Sequence, residues 1–489
     1  MILLRFVLCA ALLAPSLELP AASGDLKSWE HSLVTLEIDR QGYNYIQPWS
    51  RRSQSVQKSG VVLGPKTILT TAEQLNDLIS VRIQKGGRGK WYAGKLEWID
   101  YHANLALITS DESELWTGLK PAALMPKIPL SGEARVLRWR EGKLEARKME
   151  INRARIETGR LTFIDLLHLE LDGEVQGVGW SEPVIDGGKI IGLMESQESG
   201  GGLAIPAPFI KSILDARAKN AYPGLGFFNF FWQKAENPET LTALKLVSTD
   251  HGVIVIQPMA KLGESSVLKP RDVILNIDGF EIGPEGDYQD PIYGRIMLEA
   301  LATRGRWAGD EVPMTIWRDG QEMKINYKLP KGSFADETIP DKVFDQAPEY
   351  LIAGGFVFQP LSVPYLESWG ADWQRRAPFR LAYLKQAIPT EKQEAVVVIS
   401  LVLPDPYNLG YQDIRGLLVR KINGRKIVHL TDVEAALKEP KNGFHVLEFA
   451  PGDSPGKVVL GADTLAPATA RVLKRYGVDQ YKFIVTAGK

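Results

Sequence analysis

The stretch LKPRDVILNIDGFEI, residues 268–282, predicts a turn, a strand and a hairpin turn in close succession. Asp278-Gly279 is the hairpin signal, because this pair favours the positive φ that a tight β-turn needs. A second hairpin is predicted around Asp319-Gly320, and residues 291–304 between the two hairpins predict a helix. Together with the strand-like GVIVIQPM at 252–259, these elements make one small α+β unit.

The same order of elements recurs after the polar stretch PKGSFADETIPDK (330–342), which we interpret as a linker. The later copy has a hairpin signal at Asn423-Gly424 and a helix in LTDVEAALKE, where Thr431 and Glu434 match a capping box. Flanking strands are predicted in VVVISLVLPD and FHVLEF. Two similar copies indicate an internal duplication; the alternative is a pair of unrelated small α+β units.

Residues from about Trp29 to Ile205 show a different pattern, in which short apolar runs are broken by glycine, asparagine and aspartate. Runs such as SLVTLEI, SGVVLG and GKIIGLMES predict many short strands, and therefore an all-β barrel or sandwich. Near the end of this region, residues 204–220 predict an amphipathic helix, because four apolar residues recur there at helical spacing: Phe209, Ile210, Ile213 and Leu214.

Length and charge bound the possibilities further. The chain has 489 residues and a formal net charge of -1. At roughly 100–200 residues per domain, we expect two to four domains. A balanced charge favours neither a nucleic acid nor a membrane surface as a partner.

The first 23 residues have the layout of a secretory signal peptide, with an early arginine, an apolar run and small residues at the end. A buried N-terminal helix is the alternative. We therefore expect export to the periplasm or the extracellular space, with no membrane span after signal removal, because no later run reaches ~18 apolar residues. Cys9 is the only cysteine and lies in this segment, so we expect no disulfide in the mature chain.

Three motifs resemble the HtrA/Deg family of serine proteases. LKPRDVILNIDGFEI resembles a PDZ-domain phrase, and AGGFVFQPLSVPYLESWGADW (353–373) and NLGYQDIRGLLVRKINGRKI (408–427) are similar to segments of plant-type Deg proteases. The resemblance implies a mostly β fold, with a trypsin-like double β-barrel at 27–220 and PDZ-like α+β domains at 221–332 and 345–489. It also implies peptides or unfolded segments as partners, a trimer-based homo-oligomer and no cofactor.

The resemblance also locates the positions of a catalytic triad. Hydrolysis by a serine needs a base, a carboxylate that orients the base, and backbone donors for the oxyanion. In ILTTAEQL (68–75), which predicts a strand end turning into a short helix, Glu73 stands where the family has its histidine. In NLAL, Asn104 stands where the family has its aspartate. Neither replacement supplies the usual base or its orienting charge.

The serine position falls in GWSEP (179–183) and leaves two alignments open. Without a gap, Trp180 occupies the position of the nucleophile; with a one-residue deletion, Ser181 does. Glu182 replaces a glycine in either alignment, and its negative charge would repel an oxyanion.

These departures predict an HtrA/Deg-like pseudoprotease that binds peptides or misfolded proteins, or scaffolds an oligomer. The alternative is a serine endopeptidase with a rearranged site, in which Ser181 is the nucleophile and Glu73 or His102 is the base. The remaining histidines show no metal-ligand spacing, so no metal site is predicted.

The PDZ resemblance implies that a peptide adds to a sheet edge while a backbone nest holds its C-terminal carboxylate. In the earlier unit, Phe228-Asn229-Phe230 is the predicted nest, with Leu225-Gly226-Phe227 as a rival and the 291–304 helix as one wall. In the later unit, Val357 of Phe356-Val357-Phe358 argues against carboxylate capture, so that unit is expected to serve internal packing.

Overall fold

The computed structural model describes residues 23–173, 180–198, 200–246, 252–259, 266–334, 339–386 and 395–485. The predicted signal peptide therefore lies outside the described residues, apart from Ser23. Within the ranges just given, no helix is both long enough and apolar enough to cross a membrane.

The N-terminal region begins with a closed six-stranded barrel, whose strands follow the order β1-β2-β3-β6-β5-β4. Its elements are α1 (Ser23–Trp29), β1 (Leu33–Tyr43), β2 (Arg51–Gly64), β3 (Thr67–Thr70), β4 (Leu78–Lys85), β5 (Trp91–Asp100), β6 (Leu105–Thr109) and α2 (Ser113–Trp116). The short helix predicted after β3 is wrong, because residues 71–77 form turns instead. Gln74 and Asp77 in these turns have positive φ, which an α-helix cannot contain.

A second closed barrel follows, in the order β10-β11-β12-β9-β8-β7. Its strands and the helix after them are β7 (Gly132–Arg140), β8 (Lys143–Thr158), β9 (Asp165–Asp172), β10 (Pro183–Asp186), β11 (Lys189–Glu198), β12 (Gly201–Pro206) and α3 (Ala207–Ala218). The predicted closing helix is confirmed as α3, which buries Phe209, Ile210 and Ile213. One core cluster joins both barrels, with Leu33 and Leu69 from the first and Leu137 and Leu193 from the second.

The next unit is a sheet in the order β13-β14-β15-β19-β20, with β16 on β15 and a separate β17-β18 hairpin. Its elements are β13 (Phe230–Lys234), α4 (Pro238–Ala243), β14 (Val253–Pro258), β15 (Val273–Ile277), β16 (Phe280–Glu281), β17 (Asp287–Asp290), β18 (Gly294–Met297), β19 (Glu311–Arg318) and β20 (Gln321–Lys328). Its core is continuous with that of the second barrel, since Met149 and Leu169 belong to the same cluster as Ile274 and Val312.

The helix predicted over residues 291–304 is wrong. The structure has the β17-β18 hairpin there, followed by a short 3-10 helix at Leu298–Ala302. The Asp290 carboxylate accepts hydrogen bonds from the backbone N–H groups of Ile292 and Tyr293, and Gly294 takes a φ of +75°. An aspartate turn followed by a left-handed glycine forms a tight reversal, which prevents a continuous helix.

The C-terminal unit has strands in the order β27-β26-β24-β23-β22-β21-β28, with β25 on β24. Its strands are β21 (Tyr350–Ala353), β22 (Phe356–Pro360), β23 (Val397–Val402), β24 (Leu417–Ile422), β25 (Arg425–Lys426), β26 (Phe444–Phe449), β27 (Lys457–Gly461) and β28 (Lys482–Phe483). Its helices are α5 (Val363–Leu366), α6 (Trp373–Arg376), α7 (Phe379–Gln386), α8 (Leu430–Leu437) and α9 (Leu465–Tyr476). The predicted fold class, a mostly β double barrel followed by PDZ-like units, is confirmed.

The capping box predicted for α8 is misplaced. The helix begins at Leu430, and the Asp432 carboxylate accepts hydrogen bonds from the backbone N–H groups of Val428 and His429. Asp432 therefore occupies the third helical position that was assigned to Glu434. The carboxylate of an aspartate can satisfy the orphan amides of a first helical turn as well as that of a glutamate does. The predicted capping box was therefore placed two residues too late in the sequence.

Candidate functional site

Three loops meet where the two barrels join, and each carries one of the predicted triad positions. Glu73 lies in the turns after β3, Asn104 lies between β5 and β6, and Ser181 lies just before β10. All three are buried, with relative exposures of 6%, 1% and 0%. The fold therefore collects these positions in one place but seals them from solvent.

Ser181 is held by the turn after β3. Its Oγ lies 2.7 Å from Thr71 Oγ1, 2.9 Å from Thr70 Oγ1 and 3.1 Å from the Thr71 backbone nitrogen, which donates to it. The Ser181 backbone has a φ of +74°, a left-handed conformation that is costly for a non-glycine residue. A hydroxyl with three protein contacts and no exposed surface cannot reach a peptide bond in this arrangement.

The predicted motifs did not include Lys58, which organises this turn. Its Nζ donates to the Thr71 carbonyl at 2.7 Å, to Thr71 Oγ1 at 3.0 Å and to the Glu73 carbonyl at 2.5 Å. Burial lowers the pKa of Lys58 to about 7, although the nearby Glu73 and Glu182 carboxylates act in the opposite direction. Nothing in the sequence around Lys58 distinguishes it from an exposed strand lysine.

The backbone groups of the GWSEP segment are also occupied. The Trp180 N–H donates to the Glu182 carboxylate at 2.7 Å, and the Ser181 N–H donates to the Met194 carbonyl at 3.2 Å. The Trp180 carbonyl in turn accepts from the Ser59 N–H at 3.0 Å. An oxyanion hole needs backbone donors that point into an open site, and neither of these two N–H groups is available. Gly179 lies outside the described residues.

Asn104 belongs to a second buried network. Its Oδ1 accepts from the Glu73 N–H at 3.0 Å, and its Nδ2 donates to Glu195 Oε1 at 2.9 Å. The other oxygen of Glu195 lies 2.6 Å from His168 Nε2, and His168 Nδ1 lies 3.0 Å from the Leu166 carbonyl. Asn104 thus links the turn of the first barrel to a carboxylate–imidazole pair in the second.

The contacts of this pair define its charge. Burial alone would raise the pKa of Glu195, but its bonds to His168, Asn104 and the Arg160 amide lower it overall, so the carboxylate is ionised. The Leu166 carbonyl can only accept, so His168 Nδ1 donates to it, and His168 Nε2 lies within hydrogen-bond distance of the Glu195 carboxylate. His168 and Glu195 form a buried carboxylate–imidazole pair, with side chains that are 2% and 3% exposed.

Neither base of the alternative endopeptidase is brought to Ser181. The Glu73 carboxylate accepts from Arg160 Nε at 2.7 Å. His102 lies 2.7 Å from Thr162 Oγ1 and stacks on Phe334, with ring centroids 4.1 Å apart. It lines a cavity of about 740 Å³ between the first barrel and the segment that leads to the C-terminal unit. Burial lowers the pKa of His102, which favours its neutral form.

The predicted carboxylate nest does not have the required backbone. Asn229 does not take a positive φ, and its N–H donates to the Tyr327 hydroxyl at 3.0 Å. The premise that positive φ at Asn229 forms the nest is therefore wrong. The flanking rings differ, because Phe230 is buried in the core whereas Phe228 is only partly buried against it.

The two PDZ-like sheets differ at the strand that a peptide would join. In the C-terminal unit, β22 contains Phe356-Val357-Phe358 and is already paired antiparallel with β21 of the same chain, in the register Leu351↔Phe358. In the earlier unit, β13 is the last strand of its sheet, and no other described strand pairs with its outer edge. Of these two strands, β13 is the one whose outer edge is left unpaired by the described strands. Among the described residues, no cluster of three or more His, Cys, Asp or Glu could hold a metal ion.

Comparison with known proteins agrees with this architecture. The PDZ domain family matches residues 339–482. The chain is 26% identical over 462 residues to "Protease Do-like 2, chloroplastic" of Arabidopsis thaliana, which covers 92% of this chain and 74% of that protein. "Protease Do-like 4, mitochondrial" of the same plant is 26% identical over 400 residues, or 79% and 73% of the two chains. The chain is thus similar to proteases of the HtrA/Deg family over most of its length.

The HtrA/Deg resemblance drawn from the sequence motifs is thereby confirmed. Among solved structures, the "HtrA-type protease AlgW with tripeptide" matches this chain with a TM-score of 0.48 and 16% identity. That match covers 64% of this chain and 97% of the other.

Proposed function

We propose that this HtrA/Deg chain is a pseudoprotease that binds peptides or misfolded polypeptides through its earlier PDZ-like unit. The observation that carries the proposal is the state of Ser181, which is fully buried and bonded to Thr70 and Thr71. A nucleophile must approach a carbonyl carbon, and a base must lie within reach of its proton. Neither condition holds for this serine.

The surrounding groups support the same conclusion. Glu195 is paired with His168, the Glu73 carboxylate is bonded to Arg160, and the N–H groups of Trp180 and Ser181 bond to protein acceptors. Each part of a serine protease site is either replaced or used to hold the two barrels together. The cluster is therefore a structural joint where active relatives would have a catalytic site.

The binding part of the proposal concerns the β13 edge. A PDZ-like sheet binds a peptide by adding it as a further strand, which satisfies otherwise unpaired backbone groups. β13 has such an edge, whereas the equivalent edge of β22 is covered by β21. The earlier unit is thus the better candidate for a ligand, and the C-terminal unit packs internally.

Export and assembly complete the proposal. We infer that residues 1–23 direct export to the periplasm or extracellular space, and that the mature units at 27–220, 221–332 and 345–489 form a trimer-based homo-oligomer. Mass spectrometry of the secreted chain tests the first inference, because a mature N-terminus far from residue 24 contradicts it. Light scattering tests the second, because a monomer at micromolar concentration contradicts it.

The decisive experiment addresses catalysis directly. Purified protein is incubated with unfolded casein and with a fluorophosphonate that labels activated serines, beside a Ser181→Ala variant. We expect no casein fragments and no labelling in either protein. Turnover by the wild type that disappears in Ser181→Ala would overturn the proposal and favour the serine endopeptidase that uses Ser181.

A further inference from the structure

The outer face of the C-terminal sheet exposes large apolar side chains. Along β26 and β27, successive residues alternate between the core and this outer face. Leu447, Val458 and Leu460 lie in the core cluster of the unit. Phe444 and Val459 therefore point the other way, and their relative exposures are 50% and 48%.

These apolar side chains are neighbours across the two strands. Val446 lies opposite Val459, and Phe444 lies opposite Gly461, which has no side chain to cover the aromatic ring. Phe444 and Val446 are two residues apart and so share one face of β26. We call Phe444, Val446 and Val459 the apolar strip. Exposed apolar residues that lie together, unlike those scattered singly over a surface, indicate a binding surface.

Basic residues border one end of the apolar strip. Lys421 of β24 lies opposite Glu448 of β26, which in turn lies opposite Lys457 of β27. The Lys457 Nζ is 3.4 Å from the Glu448 carboxylate, in a pair whose side chains are 65% and 32% exposed. One carboxylate thus lies between two lysines, so this row of the outer face keeps a positive charge.

The other end of the strip is basic as well. Lys441 forms a β-bridge with Phe444, and it lies over the β24-β25 turn, because a Cβ added to Gly424 would be 2.9 Å from its Nζ. The exposed Glu439 offsets one positive charge here. The hairpin itself, residues 420–426, has no acidic residue and four exposed basic residues: Arg420, Lys421, Arg425 and Lys426.

We propose that the apolar strip and its basic border form a docking surface for an anionic lipid bilayer. Phe444 and Val459 enter the boundary between headgroups and acyl chains, where burial of apolar area is favourable. The basic side chains lie among the headgroup phosphates. The whole chain has a net charge of -1, so the attraction comes from this local cluster and orients the chain on the bilayer.

The composition of the border favours a bilayer over two other occupants. A second copy of the same face would bring its lysines against those of the first, and like charges across an interface repel. A carboxylate of a protein partner is matched best by the rigid fork of an arginine. Lys421, Lys441 and Lys457 border the strip instead, and a point charge on a flexible stem can follow headgroups that have no fixed positions.

This docking goes beyond the proposed function, because the surface is separate from β13 and needs no peptide. The experiment sediments the full chain with vesicles of phosphatidylcholine alone and with vesicles of equal parts phosphatidylcholine and phosphatidylglycerol. We expect at least about tenfold tighter binding to the anionic vesicles. This binding should weaken as the salt concentration rises, because salt screens exposed charges.

Two variants test the two parts of the surface. Phe444→Asp should weaken binding to the anionic vesicles by about tenfold or more, because it places a negative charge in the apolar strip. The double variant Lys421→Gln, Lys441→Gln should weaken it by about tenfold or more through lost attraction to the headgroups. Phe379→Asp is the matched control, since Phe379 is 79% exposed on α7 of the same unit, and its binding should be unchanged. Urea midpoints show that each variant is folded.

Equal binding to both kinds of vesicle, or binding to neither, would overturn the inference. Loss of binding in Phe379→Asp but not in Phe444→Asp would also overturn it, by placing the surface on α7. If Phe444→Asp dissociates an oligomer in light scattering and leaves vesicle binding unchanged, the strip contacts a second copy and the inference is wrong. The proposed function stands in each case, because casein cleavage and peptide binding are measured without lipid.

Discussion

The buried Lys58 predicts an unusual pH dependence of stability. Its pKa falls from 10.5 to about 7 on burial, so the unfolded chain binds a proton that the folded chain does not between these pH values. The free energy of unfolding should therefore rise with pH in this window, by about 1.4 kcal/mol per unit in its middle. From pH 7 to pH 9 the gain attributable to Lys58 is about 2 kcal/mol. Below pH 7 both states are protonated and the effect levels off.

The test compares urea unfolding of the wild type, Lys58→Met and Lys90→Met at pH 7, 8 and 9, followed by tryptophan fluorescence. Methionine has a similar length and no titrating group, so Lys58→Met should lose the rise with pH. It leaves the Thr71 and Glu73 carbonyls without their donor, so its absolute stability at one pH is not the readout. Lys90 is the control in the same barrel, with a side chain that is 51% exposed, and its variant should keep the wild-type slope.

The slopes of unfolding free energy against pH decide whether Lys58 titrates in the folded protein. Equal slopes for the wild type and Lys58→Met between pH 7 and 9 would mean that Lys58 does not titrate there. The hydrogen-bonded acceptors of its ammonium would then outweigh the cost of burial, and its charge would be a permanent part of the joint between the barrels.

Further predictions concern the residues around this joint. The double variant Glu73→His, Asn104→Asp should not cleave casein, because Ser181 stays buried. Casein cleavage at a rate close to that of an active relative would show that the site opens. Asn104→Ala should lower the free energy of unfolding by about 2–3 kcal/mol, as two buried bonds are lost, and an unchanged urea midpoint would contradict this. Glu195→Gln should cost about 3 kcal/mol at pH 7. The lowered pKa of Glu195 stabilises the fold above its unfolded value near 4.5, and this stability is lost as the pH falls through the lower, folded value. Glu195→Gln should therefore flatten the acid side of a stability profile, and an unaltered profile would mean that the pKa of Glu195 is not lowered by folding. Arg160→Ala should cost less than about 1 kcal/mol, because that side chain is 47% exposed, and a larger loss in urea would mean a stronger bond to Glu73.

The order and type of most elements could be predicted from local pattern. The apolar spacing around Phe209 and Ile213 predicted the helix that closes the second barrel, and the Asp-Gly and Asn-Gly pairs predicted hairpins that the structure contains at β15-β16, β19-β20 and β24-β25. Such signals are reliable because turn geometry and amphipathic burial depend on neighbours within a few residues. The helix predicted over 291–304 was wrong because two local signals compete there. The apolar spacing fits a helix, but the Asp290 turn and the left-handed Gly294 enforce a hairpin.

In the candidate site, the residue types follow from the sequence, but the contacts of their side chains do not. The residue types at positions 73, 104 and 180–182 predict a site without a working triad, because glutamate at 73 and asparagine at 104 do not supply the usual base and its orienting charge. Where those side chains point was not predictable. Glu73 turns to Arg160, Asn104 to Glu195, and Ser181 to Thr71, and each contact joins residues far apart in the chain.

The sequence by itself determined the resemblance to the HtrA/Deg family, the positions of the hairpins and the residue types at positions 73 and 104, because these depend on which side chains are present and on short-range spacing. Tertiary structure alone decided that Lys58 is buried, that Tyr327 occupies the Asn229 amide and that β21 covers the edge of β22. These features depend on desolvation and on hydrogen bonds between strands brought together only by folding. A lysine or a strand edge carries no local mark of whether water or protein will surround it.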